Sequence, residues 1–386
     1  MLIISIDAVS DGEFQNLIKY PAFSGFAKQA AVFRDVSTVF LSNTYPVHTS
    51  VSTGKLPRDH GLTSNTVSFP VRGPRWNFRE SGIKSTTIWQ AAAEKGIRTA
   101  AVLWPVTGFS KAIKYNIPEV IVPAGKNQVS ANLRAGSKLL QLRMLLKHGK
   151  LIDGLKQPAL DNFSAACMAD ILRKKKPDLA LLHLTAYDTL CHKHGKGSDE
   201  ILTAFEALNR NLDIVLEAAG PDRDVIIFSD HNQIDVHSVV TPNDLLVGMG
   251  LLEKADGKYA AGGSGCHIDC CGGSAFFIAG TLDSDKVEEV RQRIGEVEGF
   301  RRFLTKAEME GAGRGDSSFG FCAEAGYCYE PVPKKKRANH GYPLDMPDST
   351  VFYMVRGAGF APGEEKTGGS LLDIAPIVAR CLRLDL

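Results

Sequence analysis

The sequence predicts a doubly wound α/β fold, a mostly parallel sheet flanked by helices. Three observations predict it: short apolar runs, helical stretches alternating with them, and acidic residues where several of the runs end. The runs at residues 2–6, 99–103, 179–184, 225–228 and 351–355 are too short for typical helices. They are apolar on both faces, as strands buried inside a parallel sheet are. Helical stretches at 86–95, 162–175, 199–219 and 370–382 separate them, and this alternation is what packs helices on both faces of one sheet.

Other segments fill in the architecture. Residues 239–336 are rich in Gly and carry a strand-like SAFFIAG, a helix-like DKVEEVRQRIGEV, and Cys322 and Cys328 in a loop. We take this as a smaller subdomain inserted between two core strands of a single catalytic domain spanning 1–386. The stretch 132–155 alternates Leu, Met and Ile with Lys and Arg. That pattern suits a basic membrane-surface helix, but a helix covering the core is the commoner origin and is the expectation.

Composition narrows the function. With Lys+Arg 45 against Asp+Glu 43 and a formal net charge of +2, the chain lacks the basic excess of a general nucleic-acid binder, so no stable nucleic-acid complex is expected. The short runs Lys174, Lys175, Lys176 and 334–337 read as solvated faces. No apolar run approaches the roughly 20 residues that span a bilayer. Met1 leads directly into LIISID, with no basic n-region and no small-residue cleavage site. The expectation is a cytoplasmic protein, or a secreted one trimmed at its start. Eight cysteines fit a reducing compartment. Cys266, His267, Cys270 and Cys271 have some look of a structural zinc site but lack a second well-spaced pair, so buried free thiols are expected.

Four constellations carry chemistry. In DTLCHKHG, Asp188 and His192 stand four apart, so on a helix they share one face and can chelate one ion. In SDH, Asp230 and His231 follow a buried strand directly, and His340 lies in the loop sequence NHGYP. In SNTYPVHTSVSTG, Thr44 precedes Tyr45 and Pro46 at a helix start, where free N–H groups favour an anion. Each taken singly has a plain structural explanation: a surface pair, a strand end, a loop histidine, a helix N-cap.

Together with Asp7 after the first strand, these motifs occur in an order that resembles the nucleotide pyrophosphatase/phosphodiesterase (type I phosphodiesterase) branch of the alkaline phosphatase superfamily. The resemblance rests on TYPVHTSVSTGKLPRDHGL, DTLCHKHG, SDH and HGYP. It is supported by TIWQAAAEKG, by Trp104–Pro105, and by the closing LLDIAPIVARCL. It implies two Zn²⁺ per chain, one held by Asp188, His192 and His340, the other by Asp7, Asp230 and His231 with the Thr44 oxygen. It implies that Asn65 in GLTSNT donates to a phosphate oxygen, that Tyr45 stacks on a nucleobase, and, through a looser alignment, that Tyr115 supplies the opposite face. Val47 stands where the family commonly has Asn, and His194 where it commonly has Tyr. His48 and His60 are expected to pack or to support ligands.

The chemistry implied is hydrolysis of a phosphodiester or nucleotide pyrophosphate bond through a phosphothreonine at Thr44. Metal coordination activates a hydroxyl that is a poor nucleophile at neutral pH, and paired ions clamp entering and leaving oxygens. A dianionic monoester usually needs an Arg or Lys fork. None is placed by motif near Thr44, Asn65 or Asp188, so a small diester or nucleotide is the expected substrate. The enzyme alternative is a phosphomonoesterase or phosphonate hydrolase on the same scaffold. The non-enzyme alternative is a metal-binding pseudoenzyme. A sulfatase is disfavoured because TYPVH stands where that family has C-x-P-x-R.

Overall fold

The chain is seen here as a computed structural model describing residues 1–67, 75–123, 125–255, 258–260 and 263–386. An eight-stranded sheet runs through its centre in the order Glu365–Thr367, Ala31–Val36, Val351–Arg356, Val225–Ser229, Leu2–Ile6, Leu179–Leu184, Thr99–Val102, Tyr115–Ile117. The strands from Val225–Ser229 to Tyr115–Ile117 are mutually parallel. Val351–Arg356 pairs antiparallel with both neighbours. Its sequence had read like a parallel strand because burial on both faces, not direction, makes a run fully apolar. Ala31–Val36, whose Arg34 and Asp35 break its apolar run, was absent from the expected set.

Alternation along the central strands divides the core in two. Leu2, Ile4 and Ile6 pack with Phe163, Met168, Leu208 and Leu212 of the helices Ala159–Lys175 and Glu200–Ala219. Ile3 points the other way, to Ile88, Trp89, Ile374 and Val378 of the helices Ile88–Glu94 and Ile374–Leu382. A strand of period two feeding two helical layers is the packing that a doubly wound sheet requires. Ile4 is fully buried, so Ile4→Ala would cost about 2–5 kcal/mol. The helix Ile88–Glu94 begins on a capping box between Thr87 and Gln90, which satisfies backbone donors that would otherwise be orphaned.

Between Ser229 and Val351 the chain builds a four-stranded antiparallel sheet, His267–Cys270, Ser274–Ile278, Phe319–Ala323 and Phe300–Phe303 in spatial order. It has an apolar cluster of its own around Phe277, Phe321, Ile294 and Tyr329. All eight cysteines are free, with Cys266 and Cys271 buried. The helix Lys138–His148 covers the core with Leu140 and Met144, yet only one of its faces does so. Among the described residues no helix is long and apolar enough to cross a membrane.

Candidate active site

In open α/β sheets the ends of parallel strands are where ligands gather, and here adjacent strands end in acids. Ile6 lies in register with Ser229 and with Leu184, so Asp7 and Asp230 emerge side by side, with the helix Ala186–His194 starting next to them. Asp230 accepts from the backbone N–H of Ala8 at 3.0 Å. His231 Nε2 is 3.3 Å from Asp7 Oδ1 and 3.3 Å from Asp230 Oδ2. It is also 3.2 Å from Thr44 Oγ. Two groups of potential ligand atoms each lie within 4.8 Å of one another: Asp7, Asp230 and His231, and Asp188, His231 and His340. His231 belongs to both. His192 adjoins the second group, its Nε2 3.4 Å from Asp188 Oδ1 and its ring 5.1 Å from that of His340.

The three histidines share one arrangement. Nδ1 donates to Ala338 O at 2.7 Å from His192, to Asn232 O at 3.1 Å from His231, and to Asn43 Oδ1 at 2.5 Å from His340. A proton held on Nδ1 leaves Nε2 with its lone pair, which is how ligating imidazoles are oriented. Burial, reinforced by neighbouring His231, His192 and Lys336, holds the His340 pKa well below the ordinary range. Burial lowers that of His192 too. Burial and the facing carboxylates of Asp230 and Asp188 push Asp7 well above the usual carboxylate range, while Asp7 Oδ1 and Asp230 Oδ2 have no hydrogen-bond partner among the described residues. Crowded carboxylates with orphaned oxygens, faced by imidazole lone pairs, are a donor set for divalent cations, and N/O donors of this kind suit zinc. The residues present therefore fit the metal expected of them.

Thr44 is the first residue of the helix Thr44–Thr53, and Asn43, in extended conformation, is its N-cap. This corrects the plain view of Thr44 as the cap itself. Asn65 Oδ1 accepts from the backbone N–H of Tyr45 at 2.8 Å, tying the GLTSNT loop to that helix start. A cleft of about 390 Å³ opens over these groups. Asp7, Thr44, Asn65, Asp188, His192 and His340 line it, with Asp230 and His231 buried beneath. His48 and His60 are buried as well; His48 Nδ1 bonds Thr44 O at 2.8 Å, and His60 Nε2 bonds Ser50 Oγ at 2.9 Å.

The two expected base-stacking tyrosines are not where a base could meet them. Tyr45 is 0% exposed. Its ring packs with Leu62 and Val106 and its hydroxyl donates to Glu119 at 3.1 Å. Trp76, 5.3 Å from the Tyr45 ring, lines the cleft instead. Tyr115 opens the edge strand Tyr115–Ile117, at the N-terminal end of a parallel strand and so at the end opposite to the site. It lies in a separate groove with Lys114, Lys138, Arg143 and Lys175.

Several groups at the site went unread in the sequence. His183, in the middle of an apolar strand, bonds Asp7 Oδ2 at 3.1 Å through Nε2 and Glu119 Oε2 at 3.0 Å through Nδ1. Burial opposes its charge, but the hydrogen bonds to both carboxylates prevail and raise its pKa well above the ordinary value. Gln233 bonds Asp188. Lys334 and Lys336, expected on a solvated face, line the cleft. They pair with Glu330 at 3.6 and 2.9 Å, so one net positive charge stands on that wall.

Comparison with known proteins gives the fold and the family. Crotalus adamanteus venom phosphodiesterase 2 is 22% identical over 215 residues, covering 51% of this chain and 22% of its own length. The bis(5'-adenosyl)-triphosphatase ENPP4 of Pongo abelii is 26% identical over 115 residues, covering 28% of this chain and 25% of its own length. The alignments thus span no more than about a quarter of these relatives. Murine ectonucleotide pyrophosphatase/phosphodiesterase 5 shares the fold across 100% of this chain and 95% of its own, with TM-score 0.71 and 17% identity. An inactive variant of it in complex with AMP gives TM-score 0.72 at 16% identity. The type I phosphodiesterase/nucleotide pyrophosphatase family matches residues 1–310. With that match over most of its length, the chain belongs to the type I phosphodiesterase/nucleotide pyrophosphatase family.

Proposed function

We propose that this protein hydrolyses a phosphodiester or nucleotide pyrophosphate bond, with Thr44 as the nucleophile. The observation that carries the reading is the place of the Thr44 hydroxyl. It stands at the first turn of a buried helix, 3.2 Å from His231 Nε2 and beside six Asp and His side chains gathered at the strand ends. Asp188, His192 and His340 would hold one Zn²⁺, and Asp7, Asp230, His231 and Thr44 another. Bound there, the ions would supply Lewis-acid charge that lowers the pKa of the hydroxyl and offsets charge on the phosphoryl oxygens.

The chain's own groups do the rest. At the helix start the Tyr45 N–H bonds Asn65, Pro46 has none and the Val47 N–H bonds Asn43 O, so the Thr44 N–H and the helix dipole are what favour an anion beside Thr44. With Asn65 Oδ1 taken by Tyr45 N–H, the Nδ2 end is the donor half of that amide, a neutral group matched to a diester's single charge. The Thr44 oxygen bonds to phosphorus as the bond to the leaving oxygen breaks, and water then cleaves the phosphothreonine. Lys334 and Lys336 supply a cationic wall near His340. This favours a leaving group that carries a phosphate of its own, as nucleotide pyrophosphates do. It also weakens the argument against a monoester, so the substrate comparison decides between them. The eight free thiols support placing the protein in a reducing compartment.

The test is kcat/KM for bis-p-nitrophenyl phosphate against p-nitrophenyl phosphate, on protein loaded with zinc. The diester is expected to lead by about tenfold or more, equivalent to about 1.4 kcal/mol of transition-state binding. Thr44→Ala should abolish turnover of both while keeping the fold, and Thr44→Ser should keep part of it. A preference for the monoester would replace this reading with a phosphomonoesterase.

A further inference from the structure

The helix Lys138–His148 is apolar on two opposite sides. At 100° per residue, Leu140 and Met144 share the face packed on the core. Leu139, Leu142 and Leu146, spaced i, i+3 and i+7, form a stripe on the other. Leu139 is 83% exposed and Leu146 91%. Exposed leucines scattered singly need no explanation, but an aligned stripe does. Lys138 and Arg143 flank the stripe on its two sides.

Charge around the stripe is of one sign. Between residues 126 and 156 basic residues recur and Asp153 is the only acidic one, in a chain otherwise close to neutral. A groove of about 440 Å³ beside the helix is lined by Lys114, Lys138, Arg143 and Lys175 with Tyr115 and Leu139, and among the described residues no carboxylate lines it. None of these four cations forms an ion pair among the described residues, in contrast to Lys147, which pairs with Asp170. Beyond the helix, Leu151 and Leu155 are exposed as well, and Leu155 also lines the active-site cleft.

We propose that this face docks on an anionic phospholipid bilayer. The helix would lie in the headgroup plane, its leucines entering the acyl boundary and its cations meeting lipid phosphates, one of which the groove would take. An amphipathic helix with leucines on one face and Lys and Arg beside them binds membranes in this way. Charge complementarity selects this occupant over a second copy of the chain. An isologous contact would set Lys138 and Arg143 of one copy against the same cations of the other. Through Leu155 the docked face would bring the cleft wall to the lipid surface.

Co-sedimentation of the full chain with vesicles tests this at low and at physiological salt. Binding is expected to vesicles of equal parts phosphatidylglycerol and phosphatidylcholine, and little to phosphatidylcholine alone. Leu139→Glu with Leu146→Glu, and separately Lys138→Gln with Arg143→Gln, should each lower binding about tenfold or more. All these side chains are exposed, so the melting temperature should stay unchanged. Three results would overturn the proposal: no binding of the unaltered chain to the anionic vesicles at low salt, equal binding by the variants, or a dimer in gel filtration that Leu146→Glu splits.

Discussion

His340 donates its Nδ1–H to Asn43 Oδ1 at 2.5 Å, so the residue at the N-cap position of the Thr44 helix also sets the tautomer of a histidine at the opposite end of the chain. The two are 297 residues apart in sequence. One residue thereby meets both parts of the site, its backbone carbonyl accepting from Val47 N–H in the helix of Thr44 and its side chain accepting from the proposed metal ligand His340. Asn43→Ala removes that acceptor and allows His340 to place its proton on Nε2. Losses at this kind of supporting contact cost about 10–100-fold in metal affinity, and a competition titration with a zinc chelator should find a loss of that size. Asn43→Asp, which keeps an acceptor, should lose less.

Nucleotide preference is expected to follow Trp76 rather than Tyr45. Trp76 lines the cleft, whereas Tyr45 is buried beneath it. Stacking of a base on an aromatic ring contributes about 1–3 kcal/mol. Trp76→Ala should therefore raise KM for a nucleotide p-nitrophenyl ester about tenfold or more while leaving bis-p-nitrophenyl phosphate little changed. Tyr45→Ala should instead lower the melting temperature, because it empties a buried site. Equal loss on both substrates in Trp76→Ala would remove the base-stacking role.

Acid sensitivity should pass in part through His60. Leu62 N–H donates to its Nδ1 at 3.1 Å, so that nitrogen must be unprotonated. Burial lowers its pKa to about 4, and that of His48, buried likewise, falls to about 3. Well above pH 6.5 each is neutral whether folded or unfolded, and neither adds a pH dependence to stability. Below it the unfolded chain takes up protons that the folded one refuses. Stability then falls by up to about 1.4 kcal/mol per pH unit for each histidine, until the folded pKa is reached. Urea unfolding at neutral pH and near pH 5 should show a shallower decline in His60→Gln than in the unaltered chain. An unchanged slope would mean that His60 titrates normally.

How far the sequence could be read follows from what each signal encodes. Asp7 and Asp230 stood out because each follows a short, largely apolar run, and register then puts them side by side. Asp188 and His192 were readable as one helical turn. Asn43, His183 and Gln233 act by meeting residues far away in the chain, and no local pattern marks such a meeting. The Lys334 and Lys336 run looked like any solvated charge cluster, since nothing local shows that Glu330 and His340 fold against it. Tyr115 was expected at the site only through a loose alignment, and it opens a parallel strand whose start lies at the other end of the sheet. In the helix Lys138–His148 the sequence shows two apolar stripes but not which of them the core covers.

Six Asp and His side chains are proposed to build two metal sites around Thr44, and metal content tests this. Zinc-loaded protein, freed of excess metal by gel filtration, should carry about two Zn²⁺ per chain, and Asp188→Ala about one, given that four-coordinate sites with three protein ligands lose most of their affinity with one of them. Far less than one zinc in the unaltered chain, or full retention of both in Asp188→Ala, would contradict the account.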